Sequence, residues 1–165
     1  MQHWQMIVTT LDQIRASGPC REGWKSLLRG LNKKSSDSEE LSIGKIAQVT
    51  NLNNALWALQ SVIDQERKLR ELAFFSYSII KHKCSKQVVQ VLDAAILDWG
   101  YCTAKELDFN YPDFYQLAGT LIENQIDSVA ATALHPDARW ASRYCALHSL
   151  NLVNGAEFNI RSALV

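Results

Sequence analysis

The sequence has little of what marks fibrous, linker-rich or strongly charged proteins. Its 165 residues include three prolines and seven glycines, which excludes collagen-like and linker-dominated architectures. The 17 basic and 17 acidic side chains cancel, and a net charge of zero argues against both a strongly basic nucleic-acid binder and an acidic DNA mimic. Apolar residues make up 47% of the chain, so intrinsic disorder is not expected. These numbers indicate a single globular domain over residues 1–165.

Targeting and membrane segments are missing as well. The first ten residues hold a short apolar patch but neither the basic start nor the long apolar core of a signal peptide. No window approaches the roughly 20 apolar residues of a membrane span. The four cysteines, at positions 20, 84, 102 and 145, form no Cys-x-x-Cys pair. We therefore expect reduced thiols, no metal or other cofactor, no membrane partner, and a cytoplasmic location (bacterial, or the host cytoplasm for a phage protein).

The neutral total conceals an uneven distribution of charge. Residues 1–86 carry 13 Lys and Arg against 8 Asp and Glu, a net charge of +5. Residues 87–165 carry 4 against 9, a net charge of −5. The chain is therefore dipolar, which permits one basic and one acidic face or merely uneven solvation of helix surfaces. The opposite charges also permit homo-oligomers without requiring them.

Apolar residues recur at helical spacing along most of the chain, as in the stripe Trp24, Leu27, Leu28 and Leu31. With capping signals at Thr10, Ser42, Asn53 and Ser85, this spacing predicts helices over the following segments: 10–16, 21–31, 42–49, 51–63, 64–83, 85–100, 113–126, 137–153 and 157–164. Residues 32–40 are predicted to form a surface loop, and no alternating strand pattern is present. We expect an all-α fold of seven to nine helices, packed as an irregular multi-helix bundle or as stacked helical hairpins. In the helix after Pro136, Trp140 and Tyr144 are expected to belong to the buried stripe.

Catalytic and metal-binding motifs are not found. No serine lies in a Gly-x-Ser-x-Gly turn, and the sequence contains no phosphate-binding glycine loop and no His-Glu-x-x-His helix. His135, Asp137, Cys145 and His148 could converge on a metal, but a packed helix explains them better. We therefore do not expect an enzyme.

A cluster of basic residues surrounds one predicted helix and its exit. Its members are Arg67, Lys68, Arg70, Lys81, Lys83 and Lys86. Phosphate contacts need such groups on one face, whereas adjacent residues on a helix point about 100° apart. Because acidic residues lie beside them, a solvated and ion-paired face is favoured over a nucleic-acid site, which remains an alternative.

Aromatic and acidic residues alternate around a proline in the segment 108–115. The residues concerned are Asp108, Phe109, Tyr111, Asp113, Phe114 and Tyr115. Aromatic side chains dominate protein interfaces, so these six are the candidate partner-binding residues. The competing interpretation is that the rings fill a gap between helices. Arg139-Trp140 allows the same two interpretations.

The N-terminal half contains a longer pattern: Cys20-x-x-Gly23-Trp24-x-x-Leu27-Leu28, Leu31-x-Lys33, a polar loop to Leu41, Ile46, and Leu52-Asn-Asn-Ala-Leu-Trp-Ala-Leu59. This pattern resembles the immunity-protein-5-like helical domain of bacterial and phage proteins, over about residues 10–80. The family commonly has glycine at the position of Asn32, aspartates at Asn53 and Asn54, and arginine at Gln60, and the chain departs from it there. The same residues have a structural interpretation, in which Trp24 and Trp57 pack helix on helix and Gly23 permits close approach.

The resemblance implies an all-α protein without known catalysis, encoded near toxins or on mobile elements, that binds a partner protein. The favoured hypothesis is a non-catalytic inhibitor that neutralises a toxin by steric occlusion. The alternatives are a phage or mobile-element protein of the anti-CRISPR kind, directed at a host defence effector, and a helical nucleic-acid-binding module. The resemblance assigns no binding residue.

Overall fold

The computed structural model describes residues 6–101 and 110–164, and within them the all-α prediction is confirmed. Ten α-helices are present in these residues, together with three single 3₁₀ turns at 59–61, 81–83 and 132–134. The helices are α1 Leu11–Ala16, α2 Arg21–Gly30, α3 Ile43–Val49, α4 Leu52–Ala58, α5 Glu66–Ile80, α6 Lys86–Tyr101, α7 Tyr111–Thr120, α8 Gln125–Ala131, α9 Ala138–Leu152 and α10 Ala156–Leu164. None of the described helices is both long and apolar enough to cross a membrane.

The tenth helix arises because the segment predicted as one helix over 113–126 is two. Helix α7 ends at Thr120, and Asn124 begins α8 by accepting a hydrogen bond from the backbone N–H of Asp127. Side-chain oxygens of this kind satisfy backbone donors that a helix start leaves without partners. A second capping prediction was wrong by two residues, since Asn51 rather than Asn53 caps α4. The caps at Thr10 and Ser42 are confirmed.

A short antiparallel pair of strands was not predicted. Strand β1 covers Val8–Thr10 and strand β2 covers Glu40–Ser42, with Thr9 opposite Leu41. Three residues are too few to show the alternation of a longer strand, so the pairing becomes visible only in the tertiary structure. The pair joins the chain before α1 to the end of the loop that follows α2. In that loop Lys33 forms ion pairs with Asp37 and Glu39, each at 2.7 Å.

Two apolar clusters share the neighbouring helices α5 and α9, which run in the same direction, since Arg70 bonds to Pro136 and Ser76 to Ser149. The first cluster contains the buried residues of α1 to α4 together with Leu69 and Leu72 of α5. The second contains Phe74 and Tyr77 of α5 and the buried residues of α6, α7 and α8. Helix α10 returns to the first cluster through Ile160 and Leu164. The two ends of the sequence therefore pack together, and the family-like segment does not form a core of its own.

Helix α9 buries small side chains and carries its large ones outside. The buried positions are Ala138, Ala141, Ser142, Cys145, Ala146 and Ser149. The predicted burial of Trp140 and Tyr144 is wrong, because both rings are only half-buried. The small residues let α9 approach α5 closely enough for the Ser149 hydroxyl to lie 3.3 Å from the Ser76 carbonyl oxygen. This packing decides which side chains α9 presents to solvent.

Two positions at the end of α2 explain how the chain turns toward α3. A Cβ atom on Gly30 would lie 2.6 Å from the carbonyl oxygen of Val49, so only glycine fits there. The close approach between helices is thus at Gly30 and not at Gly23, whose Cβ would meet its own helix cap, Cys20, at 3.2 Å. Asn32 then adopts a left-handed φ of 54°. Glycine and asparagine are the residues that commonly occupy this position after a helix.

Candidate functional site

The aromatic-acidic segment divides between the interior and the surface. Asp108 and Phe109 lie outside the described residues. Tyr111 is buried, and Phe114 is half-buried against the second apolar cluster. Asp113 is exposed in the first turn of α7, where its carboxylate accepts a hydrogen bond from the side-chain amide of Asn110. Tyr115 is half-buried at the surface and is the member of the segment that contributes to the site described below.

Arg70, from the predicted basic cluster, lies in the interior with an exposed fraction of 1%. Its guanidinium donates to the carbonyl oxygens of Ala133, at 2.8 Å, and Pro136, at 3.2 Å. It also stacks over the ring of Tyr111, 4.0 Å from the ring centroid. Arg70 therefore joins α5 to the chain leading into α9, and its position removes it from any surface that could contact phosphate.

Most of the other basic residues of the cluster already contact an acidic side chain, an aromatic ring or a backbone carbonyl oxygen. Arg67 lies 3.8 Å from the carboxylate of Glu71 and 4.5 Å above the ring of Trp99. Lys81 forms a 2.6 Å ion pair with Asp93. Two lysines donate to backbone carbonyl oxygens, Lys68 to Met6 and Lys83 to Leu152. Lys86 is exposed at the start of α6. Phosphate binding would have to compete with most of these contacts.

Five rings stack in a continuous row along the outer side of α9. We call this row the aromatic ladder; its members in spatial order are Tyr115, His135, Trp140, Tyr144 and His148. The centroids of His135 and Trp140 lie 4.1 Å apart, and those of Trp140 and Tyr144 lie 4.3 Å apart with an interplanar angle of 25°. Tyr144 and His148 continue the row at 5.7 Å, and Tyr115 meets His135 edge-on at 5.3 Å.

Helical spacing and one cap hold the ladder together. Trp140, Tyr144 and His148 are four residues apart, so they lie one above another on the same face of α9. Asp137 caps α9 by accepting from the backbone N–H groups of Arg139 and Trp140, and its own N–H donates to Nδ1 of His135. Burial acts to raise the pKa of Asp137, but these hydrogen bonds and the charge of Arg139 outweigh it and the pKa is lowered. The carboxylate therefore stays ionised while it orients the start of the ladder.

Three polar groups of the ladder have no hydrogen-bond partner within the described chain. The indole N–H of Trp140 and the hydroxyls of Tyr115 and Tyr144 make no hydrogen bond to any described residue. None of the three is among the buried polar atoms that lack partners, so each reaches solvent. The ladder thus offers hydrogen-bonding groups on a half-buried apolar surface. That combination is typical of binding sites rather than of cores.

Two arginines flank the rings. Arg139 precedes Trp140 and lies 3.5 Å from the Asp137 carboxylate, at an exposed position. Arg143 precedes Tyr144, and its guanidinium lies 5.5 Å from that ring's centroid. The sequence of α9 contains no Asp or Glu. Helix α9 itself is therefore basic, although Asp64, Glu66 and Asp137 line a groove with Arg139 at its start.

The candidate metal ligands do not converge. Cys145 is fully buried, and burial raises the pKa of its thiol to about 12, whereas the side chain of His148 is exposed to solvent. Within residues 6–101 and 110–164 no three His, Cys, Asp or Glu side chains could hold a metal ion. Cys20, Cys84 and Cys145 are all free thiols.

The sequence predicts interface roles for Tyr115 and Arg139-Trp140 and a possible metal role for His135 and His148, but it does not predict Tyr144 as a site residue. A signal was present, since aromatic or imidazole rings at 140, 144 and 148 have helical spacing. That spacing alone was interpreted as burial. Only the small side chains on the other face of α9 show that the rings lie outside.

Comparison of the chain with protein-family models, with curated proteins and with solved structures finds no match. The candidate site is therefore described by its own geometry.

Proposed function

We propose that this chain is a non-catalytic protein-binding inhibitor that uses the aromatic ladder to occlude a partner protein. The observation that supports this most is the inverted arrangement of α9, which buries alanine, serine and cysteine and keeps Trp140 and Tyr144 half-exposed. Full burial of a large apolar side chain contributes about 1.5–3 kcal/mol, so each half-buried ring forgoes part of that free energy. A partner that covers the rings recovers that free energy.

The composition of the ladder suits a protein partner. Trp, Tyr and Arg are the residues most enriched among those that dominate the free energy of protein association. Here Arg139, Trp140, Arg143 and Tyr144 lie within about one and a half turns of one helix, roughly 7.5 Å along its axis. The stacked rings are held in place before binding, which lowers the entropy lost on association. The resemblance to immunity-protein-like domains points to the same class of function.

The stacking geometry disfavours nucleic acid. Single-stranded nucleic acids bind by stacking bases on the open faces of aromatic rings. In the ladder the faces of Trp140 are covered by His135 and Tyr144, so a base would find an open face only at the ends of the row. What the ladder presents is ring edges and their N–H and O–H groups.

Charge indicates the character of the partner surface. Arg139 contacts Asp137 and lines a groove with Asp64 and Glu66, whereas Arg143 beside Tyr144 forms no ion pair with a described residue. Complementary charge steers association and excludes wrong partners. We infer that the partner offers an acidic patch next to an apolar one, whether it is a toxin or a host defence effector, and that it is met in the cytoplasm.

Site-specific photocrosslinking tests the location of the interface. A benzophenone amino acid at Tyr144 should crosslink one protein in the native host, and the same group at Phe158, which is 75% exposed on α10, should not. The identified protein is then purified, and its affinity for the chain and the inhibition of its activity are measured. Trp140→Ala should weaken binding by at least about 30-fold, and Phe158→Ala should change it less than twofold.

Arg143→Glu is the control for loss of folding stability, because it leaves the rings in place and reverses one charge. It should weaken binding and slow association while the thermal transition stays close to that of the wild type. Crosslinks that arise equally from Phe158, or only to a second copy of the chain, would contradict the proposal. Binding that is lost on nuclease treatment would support the nucleic-acid alternative instead.

A further inference from the structure

A pocket that shares no lining residue with the ladder lies among α1, α2, α3 and α4. It has a volume of about 230 Å³, and its walls include the half-buried indoles of Trp24 and Trp57. Leu27 and Ile46, with exposed fractions of 5% and 2%, form its floor. Helices α2 and α4 thus bring together two tryptophans that are 33 positions apart in the sequence.

The size and lining of the pocket restrict its occupant. Every residue that lines it is uncharged. An ionised group held inside would therefore lack a counter-charge, which is costly in an apolar site. An apolar cavity of about 150 Å³ accommodates benzene, so a volume of about 230 Å³ accommodates a planar system of up to two fused rings. Flat apolar walls favour an aromatic ligand over a branched aliphatic one.

Two side-chain amides add polarity at one wall. Asn53 and Asn54 line the pocket, and neither side-chain amide hydrogen-bonds to another described residue. The Asn54 oxygen reaches toward α2, since a Cβ atom on Gly23 would lie 3.9 Å from it. A carboxamide offers one acceptor and two donor hydrogens. A ligand edge with an adjacent donor and acceptor would pair with such a group, whereas a hydrocarbon ring would leave it unpaired.

We propose that this pocket binds a neutral, planar heteroaromatic ring system of one or two rings whose edge carries a donor beside an acceptor, as in a purine base. Trp24 and Trp57 contact the rings, and Asn54, with Asn53 beside it, hydrogen-bonds to the polar edge. Mostly apolar concave sites with a few placed polar groups are the usual form of small-molecule sites. The proposal does not depend on the aromatic ladder or on the identity of its partner.

Two probes of equal size test the proposal, namely adenine, which has the donor-acceptor edge, and indole, which has only a donor. The indole N–H signals of Trp24 and Trp57, assigned from Trp24→Phe and Trp57→Phe, should shift on titration with adenine. Those of Trp99 and Trp140 should not. Asn54→Leu removes the side-chain amide and keeps a similar side-chain volume. It leaves intact the hydrogen bond that the backbone N–H of this residue donates to the Asn51 side chain. It should weaken adenine binding about tenfold and change indole binding less than twofold.

A second measurement uses the wild-type chain alone. Cys20 is exposed, and it lines the same pocket. Alkylation of Cys20 by iodoacetamide, followed by mass spectrometry of its peptide, should slow several-fold in saturating adenine. Labelling of Cys84, which is remote from the pocket, should be unchanged. The proposal is overturned if neither probe shifts Trp24 or Trp57 at millimolar concentration, if Asn54→Leu weakens both probes equally, or if only Trp140 responds.

Discussion

Asp127 is the described acidic residue whose loss should cost most stability. Its exposed fraction is zero. One carboxylate oxygen accepts from the backbone N–H of Ser85 at 2.8 Å, and the other accepts from that of Glu123 at 3.0 Å. The carboxylate thus ties the start of α6 to the turn between α7 and α8. Asp127→Asn keeps the shape but replaces one acceptor oxygen with an amide that donates, so a donor would face a donor.

The expected magnitude follows from the two hydrogen bonds. Hydrogen bonds to a charged acceptor contribute about 1.5–3 kcal/mol each to the free energy of unfolding, and a buried donor without a partner lowers it further. Losing one bond and weakening the other should lower the free energy of unfolding by about 3 kcal/mol. For a chain of this length that corresponds to a fall in melting temperature of about 6–12 °C. Asp98→Asn, the same chemical change at an exposed position on α6, should alter stability by less than about 0.5 kcal/mol.

The same carboxylate predicts a pH dependence. Burial acts to raise the pKa of Asp127, but the N–H groups of Ser85, Glu123 and Asn124 outweigh it and hold the pKa below its ordinary value. Folding therefore favours the ionised form, and its contribution is complete above about pH 4, the ordinary range of an aspartate pKa. The contribution is lost as the pH falls through the lowered pKa of the folded state.

Urea denaturation of the wild type and Asp127→Asn at a series of pH values measures both effects. The difference between the two proteins should be constant from pH 5 to 8 and should narrow below pH 4. A difference below about 1 kcal/mol at neutral pH would refute the assigned hydrogen bonds. A difference that stays constant down to pH 2 would refute the lowered pKa, and one that widens below pH 4 would show that the pKa is raised.

Two further predictions concern the end of α2. Gly30→Ala should destabilise the fold by about 1–3 kcal/mol, because its methyl group would overlap the carbonyl oxygen of Val49. Gly119→Ala, in open space on α7, should be neutral or stabilising. Thermal unfolding measures both variants, and equal effects would count against close packing at Gly30. Asn32→Ala should lower the free energy of unfolding by about 1 kcal/mol, because alanine is strained at the left-handed φ of this position, and Asn32→Gly should leave it unchanged. If both variants are destabilised, the effect comes from loss of the Asn32 side chain and not from φ.

Local patterns predicted most of the helices because their signals are local. The N-cap at Thr10 can be predicted directly from the sequence. The side chains of Thr10 and Gln13 each accept a hydrogen bond from the other residue's backbone N–H. The division between α7 and α8 was missed because apolar spacing continues across it, and the break depends on the Asn124 cap and on Asp127 bonding back to Glu123. The β1–β2 pair was missed because its strands are separated by about 30 residues.

The sequence by itself determined an all-α fold, since apolar periodicity and caps act over a few residues and survive in any packing. It also identified Tyr115 as an interface candidate and predicted that Trp24 and Trp57 pack helix on helix. Which of them face solvent was decided by the tertiary structure, because burial depends on what the opposite side of each helix meets. The small residues of α9 meet α5, so its rings lie outside and form a ladder with Tyr115. Helices α2 and α4 place their tryptophans on the walls of one pocket, an arrangement that no local pattern encodes.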